Sequence, residues 1–290
     1  MTTQRSLDHF VAYAQDLGIA SNAWRRLGFT VMPIMEHISI GTANAIVQFQ
    51  GTYLELLGDA EHCQVASLQQ NLRRNFPSYD GYYMTSFTSS RLEDDRPALE
   101  QQGIELQPIV GASRRVRLPA GGWVNTASRS MYAFHHARPR MSLFLSDHPK
   151  PEAIWIPDYQ AHANSALDVL ELHYVARDPA LDEAFISCMM AGAPTPSSGD
   201  GLKFRTPRGQ TLAVHSEQAA RTRWPEFNAL QGNETAHGVA LTIQVQSMAQ
   251  CRRTLRDGGV PHRVTNGTLV VPPSHASGVI IELTEASSAS

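Results

Sequence analysis

Carboxylates and imidazoles inside apolar, strand-like runs are the residues of this chain that call for a chemical explanation. Glu55 lies in Tyr53-Leu-Glu-Leu-Leu57 and Glu282 in Val279-Ile-Ile-Glu-Leu283. A carboxylate buried in such a run is costly unless a metal ion, an arginine or a solvated cavity compensates it. His9 belongs to a similar run, Leu7-Asp-His-Phe-Val-Ala-Tyr-Ala14, and His148 follows another, Met141-Ser-Leu-Phe-Leu145. Side chains alternate along a strand, so Leu7, His9, Val11 and Tyr13 share one face, and Tyr53 shares one with Glu55. Imidazoles and carboxylates with open positions suit Fe(II), Mn(II), Zn(II) or Ni(II). A hydrogen-bonded histidine beside a cavity-facing glutamate explains the same residues, and spacing alone favours that plainer arrangement. No Ser/His/Asp arrangement, phosphate-binding loop or zinc-ribbon spacing is present.

The elements that must position these residues recur. Leu7 to Ala14 reads as a strand; Asp16 offers a helix N-cap; Leu17, Ala20, Ala23, Trp24 and Leu27 follow at helical spacing; Gly28 stops the helix. The same order returns with Tyr82 to Thr88, a cap at Ser90 and a stop at Gly103. It returns again with Leu170 to Ala176, Asp178-Pro179 and Gly192, and finally with Val239 to Val245, Ser247 and Gly259. Each cap-to-glycine interval is twelve to fourteen residues. Two or three strand-like runs follow each helix, so the unit is βαβββ, four times over. One strand per helix and a Gly-x-Gly-x-x-Gly after the first strand, as a doubly wound fold requires, are missing. Pro149 to Ser165 reads as an ordered connector, with Gln160, His162 and Asn164 fixing it by hydrogen bonds, and Gln218 to Gly232 as an inserted helix.

Composition narrows the function classes. The 290 residues carry 24 Lys and Arg against 27 Asp and Glu, a net charge of −3, which speaks against a nucleic-acid footprint. Three scattered cysteines, Cys63, Cys188 and Cys251, do not make a secreted disulfide framework, and no apolar run is long enough to span a bilayer. The expectation is a cytoplasmic protein with a small-molecule substrate or ligand, no nucleic acid and no membrane, with a homodimer left open.

Four βαβββ modules resemble the vicinal-oxygen-chelate superfamily, and within it the glyoxalase-like domain proteins. The residues that carry the resemblance are Leu7-Asp8-His9, Leu27-Gly28-Phe29-Thr-Val, Gly41-Thr42-Ala43-Asn44 and Tyr53-Leu-Glu-Leu-Leu57; Phe144-Leu-Ser-Asp-His148, Trp155 and Gln160-Ala-His-Ala-Asn164 add to it. The resemblance implies an α+β fold of two half-open mixed β-barrels. The first domain would span 1–160, with modules at about 6–58 and 81–148, and the second 161–290, with modules at about 166–216 and 237–285. It also implies a divalent metal (Fe, Mn, Zn or Ni) on a concave face, chelating adjacent oxygens of a small molecule, in chemistry of the lyase, isomerase or ring-cleaving dioxygenase type. His9 and Glu55 match two ligand positions of the family, with His148 as the third ligand and Glu55 also as proton acceptor.

His37, Asn44, Tyr53 and Tyr83 would contact substrate. A second candidate set is His173, His237 and Glu282, although His173 stands five residues before its cap where His9 stands seven, and His237 precedes its strand. Two departures count against a complete ligand set. Tyr82-Tyr-Met-Thr-Ser-Phe87 lacks the usual histidine or glutamine, and Leu145-Ser-Asp147 stands where many members place glutamate. The other reading of the same fold is a metal-free protein that sequesters a hydrophobic toxin or antibiotic, with Tyr13, Tyr53, Tyr82 and Tyr83 stacking on it.

Overall fold

A computed structural model describes residues 4–37, 41–60, 80–133, 141–195, 201–227 and 236–285. The first module is β1 (Leu7–Tyr13), α1 (Leu17–Arg26), β2 (Met35–His37), β3 (Thr42–Gln48) and β4 (Tyr53–Asp59). Asp16 caps α1, accepting from the Ile19 amide at 2.8 Å, and α1 buries Ala20, Ala23 and Trp24 against the sheet. The chain then turns at Gly28 with φ +90°, which no side chain tolerates well. The second module is β5 (Gly81–Thr88), α2 (Leu92–Glu100), β6 (Val110–Ala112), β7 (Arg115–Arg117), β8 (Trp123–Asn125), β9 (Ser128–Ala133) and β10 (Ser142–Asp147). Ser90 does not cap α2. Arg91 holds the N-cap position without a side-chain hydrogen bond, while Ser89 Oγ donates to Asp95 within the helix.

The third module is β11 (Ala166–Ala176), α3 (Glu183–Met190), β12 (Leu202–Arg205) and β13 (Thr211–Ser216); a short α4 (Glu217–Arg223) follows. The fourth is β14 (Ala236–Val245), α5 (Met248–Asp257), β15 (Arg263–Thr265), β16 (Thr268–Val271) and β17 (Ile280–Glu285). α3 ends one residue before Gly192, at Ala191 in the left-handed conformation. β14 starts early enough to contain His237, which therefore does not precede its strand.

Modules pair through their first strands. β1 and β5 run antiparallel at the middle of a sheet ordered β2-β3-β4-β1-β5-β10-β9-β6, and β11 and β14 do the same in β12-β13-β11-β14-β17-β16-β15. Each first strand also pairs parallel with its own module's last strand, β1 with β4 and β5 with β10. Two half-open mixed barrels result, as the resemblance implied, and one face of β1 and β5 looks into a hollow. The connector packs Ile154 and Ile156 with Met32, Ile46 and Tyr53. It is tied down by His162, which accepts from the Thr30 amide and reaches the Gln48 carbonyl, and by Asn164 on the Leu27 carbonyl.

The sheets meet where β5 crosses β14. Tyr82, Thr85 and Tyr174 share hydroxyl contacts of 2.5 and 2.7 Å, and Gly238 leaves room for the Tyr82 ring. A Cβ on Gly238 would come within 2.2 Å of Tyr82 Cδ1. Gly238→Ala is therefore expected to destabilise the fold by about 1–3 kcal/mol through overpacking, read as a lowered urea midpoint. An unchanged midpoint would show that this crossing is loosely packed.

Candidate functional site

The site begins with an irregularity in β1. Leu7 pairs with Phe87 and His9 with Ser86, so two residues of β1 advance against one of β5, and Asp8 is the extra one. Such a bulge suspends strict alternation. Neighbouring side chains that would otherwise diverge meet here: Asp8 Oδ1 lies 2.5 Å from His9 Nδ1 and 2.9 Å from Nε2 of His148, just past the end of β10. The three side chains are 2–6% exposed. Their ligand atoms lie within 4.8 Å of one another. Burial pushes the Asp8 carboxyl up, but hydrogen bonds and charge from His148 and His9 outweigh it and hold the group down at about 2. Asp8 is thus a carboxylate at any ordinary pH.

A chain of contacts runs from this cluster into the barrel. The His9 ring stacks on Tyr53 at 4.3 Å and meets Phe144 edge-on, which fixes its plane. Its Nε2 faces Glu55 Oε2 at 3.7 Å. Asn44 donates to Glu55 Oε1 at 2.5 Å and stands 3.3 Å from His37 Nε2, and His37 Nδ1 meets Thr42 Oγ1 at 3.1 Å. Burial holds His37 down at about 4, with Glu55 opposing and Arg114 adding to the shift. A neutral ring suits its place, because it can donate from Nδ1 to Thr42 and accept from Asn44 at Nε2.

His9, His37, Asn44, Tyr53, Glu55 and His148 line one hollow of about 60 Å3, with Arg114, Ser130, Tyr132 and Ser146. A second, outer groove of about 570 Å3 is lined by Gln4, Arg5, Asp8, Ser89, Arg91 and Trp155. Ser146 and His148 line both.

The structure therefore brings together His9, Glu55, His148, His37, Asn44 and Tyr53. Tyr83 lies apart, fully buried among Val11, Tyr13, Leu57, Met84 and Phe144. His9 presents opposite edges to the other two ligand candidates: Nδ1 faces the Asp8–His148 pair and Nε2 faces Glu55. From the second module, Met84 of β5 and Phe144 of β10 also line the hollow. The second module thus contributes a thioether and a phenyl ring to that lining. Asp8 and Arg114 were missed. Alternation places Asp8 opposite His9, and Arg114 reads as one charge of a solvated Arg-Arg-Val-Arg strand. The adjacency of Asp8 to His9 in an apolar run was the available signal.

The second-half set assembles only in part: His173 Nε2 lies 3.8 Å from Glu282 Oε2, while His237 stands apart. Glu282 is taken by Arg223 of α4, at 3.0 and 2.6 Å, by Trp224 Nε1 at 2.8 Å and by Thr242 Oγ1 at 2.7 Å. His173, fully buried, meets Thr242 and His215. His237 lines a different groove, beside Phe227, Tyr82 and Ile280. Glu171, seven residues before Asp178, holds the place of His9, which is why His173 is displaced by two.

A pair of βαβββ modules closing each half-open barrel is the architecture of vicinal-oxygen-chelate proteins. The family model for a glyoxalase-like domain matches residues 7–186, and the chain belongs to that family. No curated protein matches it. Among solved structures, a hypothetical protein from Staphylococcus aureus superposes with a TM-score of 0.66 at 8% identity, covering 97% of this chain and 99% of its own. A triply substituted 4-hydroxymandelate synthase from Streptomyces coelicolor gives 0.61 at 11% identity, over 99% and 94%. A fusion of a xylose isomerase-like TIM barrel with 4-hydroxyphenylpyruvate dioxygenase gives 0.57 at 11%, over 99% and 50%. At these identities the likeness is one of fold. No helix of the described residues is long and apolar enough to cross a membrane.

His37 gives the site a pH signature. The unfolded chain binds a proton on this histidine near pH 6.5, whereas the folded chain refuses it until about 4. The unfolded state therefore holds more protons in that window, and stability falls as pH drops through it. His173, His215 and His162 shift in the same direction. His37→Gln is expected to remove up to about 3 kcal/mol of the stability change between pH 7 and 4, measured by urea unfolding across that range. An unchanged pH slope would contradict a neutral, buried His37.

Proposed function

We propose that the first half, taken as residues 1–160, is an enzyme domain whose Asp8, His9 and His148 hold one divalent metal ion, and that 161–290 is a buttressing domain without a metal of its own. The observation that supports this reading is the convergence of one ionised carboxylate and two imidazoles, Asp8 and His9 buried and His148 half-buried, on one point. Such a set suits Fe(II), Mn(II), Zn(II) or Ni(II) and leaves positions open. A bound ion of this kind acts as a Lewis acid on an oxygen of the substrate, and two adjacent oxygens are what this fold family chelates.

The chain's own residues supply the rest. Glu55 faces the ring edge of His9 away from Asp8, so it fixes the orientation of that ring, the role of a carboxylate behind a metal-bound histidine. It also opens on the hollow and is the group placed to take a proton from substrate there, with Asn44 holding its other oxygen. The hollow, at about 60 Å3, admits only a small head group, and the outer groove, at about 570 Å3, has room for the remainder of the molecule. Enclosing a drug-sized ligand takes roughly 300–1,000 Å3, so the hollow argues against sequestration of a large toxin. A small molecule with vicinal oxygens at one end is the substrate class that fits; lyase, isomerase and dioxygenase chemistry all begin from such a molecule.

Metal analysis of untagged protein after reconstitution tests the assignment. About one ion per chain is expected in wild type, lost in Asp8→Asn and in His148→Ala, and retained in Glu282→Gln. Glu55→Gln is expected to weaken metal affinity about 10–100-fold while still reaching full occupancy, and to remove turnover. Full occupancy in Asp8→Asn, or loss in Glu282→Gln, would overturn the assignment.

A further inference from the structure

Arg114 is the buried cation of the first hollow. It is 6% exposed, and its Nη1 has no hydrogen-bond partner among the described residues. The carboxylate that shares the hollow, Glu55, takes its 2.5 Å hydrogen bond from Asn44 instead. An arginine buried with a donor left open is costly. It is held by design of the backbone and not by a drifting loop. Arg114 lies between β6 and β7, its amide donating to Thr126 Oγ1 at 3.1 Å and its carbonyl accepting from the Thr126 amide at 2.9 Å, while Ser113 Oγ donates to the Thr126 carbonyl at 2.6 Å. The same hollow presents a second open group of opposite kind: Asn44 Oδ1, an acceptor, also has no partner among the described residues. The vacant space thus offers a charged donor and a neutral acceptor, which is the complement of an anionic group carrying or flanked by a hydroxyl.

We propose that Arg114 is the recognition residue for a carboxylate on the substrate, so that the molecule entering the first hollow is a small-headed carboxylic acid. This rests on the hollow being the reacting site and names the substrate class for it. Carboxylate is favoured over phosphate on two counts. A hollow of about 60 Å3 suits a planar head group, and the Glu55 carboxylate already lines it, beside which a dianion would be repelled more than a monoanion. Arginine suits the task because its fork matches a carboxylate and stays charged when buried. Water filling the same space is the competing account, and it predicts no preference for acids.

Calorimetric titration of the full chain with matched probes tests the proposal: glycolate against glycolamide, lactate against lactamide, 3-phenyllactate against its amide, and hydroxymethylphosphonate, the phosphonate counterpart of glycolate, each with zinc and with a chelator. Wild type is expected to prefer at least one acid to its amide by about tenfold or more, the scale of a lost charge-assisted hydrogen bond. Arg114→Gln should erase that gap, and Arg114→Lys should keep part of it, with thermal unfolding confirming that both variants fold. The proposal is overturned if no acid binds wild type better than its amide, if the gap survives in Arg114→Gln, or if hydroxymethylphosphonate is preferred to glycolate. An Arg114-dependent gap in chelated protein that binds no metal would sustain this inference while removing the metal assignment. Normal metal binding with no gap would remove this inference alone.

Discussion

The structure turns on one buried carboxylate. Asp8 is 1% exposed on a central strand, a position that would ordinarily drive its pKa up and its charge out. It stays ionised because two imidazoles point at the same oxygen. The shift from 3.8 to about 2 corresponds to roughly 2 kcal/mol of folding stability at neutral pH, present above the unfolded value and lost as the pH falls through about 2. Both histidines are themselves immobilised, His9 by Tyr53 and Phe144 and His148 by Trp155. Three potential ligand atoms thus lie within 4.8 Å of one another, held by rings and a carboxylate that fix each other's places.

The two halves resolve the same problem differently. Glu55 and Glu282 occupy matching places on the last strands of the first and fourth modules. Glu55 opens on a hollow and is steadied by a neutral amide. Glu282 is clamped by a bidentate guanidinium, an indole and a hydroxyl, and burial's upward push on its pKa is outweighed by Arg223. Arg223 comes from α4, at the end of the third module, so the segment that fills the second barrel has no counterpart among the described residues of the first. The two matching carboxylates therefore differ in surroundings, one facing open space and the other clamped on all sides.

Much of this was legible in the residues. Caps at Asp16, Asp178 and Ser247 and the turn at Gly28 announce the repeat because they are local hydrogen-bond and backbone requirements. Glu55 and Glu282 stood out because a charge in an apolar run has few explanations. The two-residue displacement of His173 also showed in its distance from the cap. Asp8 did not show, because a bulge depends on how β1 meets β5, and strand alternation sends Asp8 away from His9. Arg114 did not show, because its burial depends on Thr126 closing the strand end over it. Arg223 was hidden for a related reason: an insertion's destination is tertiary.

The most direct test is a crystal structure of the protein grown with manganese or zinc, with data collected at that metal's absorption edge. The account predicts one anomalous peak about 2.0–2.3 Å from Asp8 Oδ1, His9 Nδ1 and His148 Nε2, with Glu55 on the far edge of the His9 ring and the Arg223–Glu282 pair intact. A peak between Glu55 and His9 Nε2, a peak in the second barrel, or undisturbed Asp8–histidine hydrogen bonds with no metal at saturating concentration would contradict it.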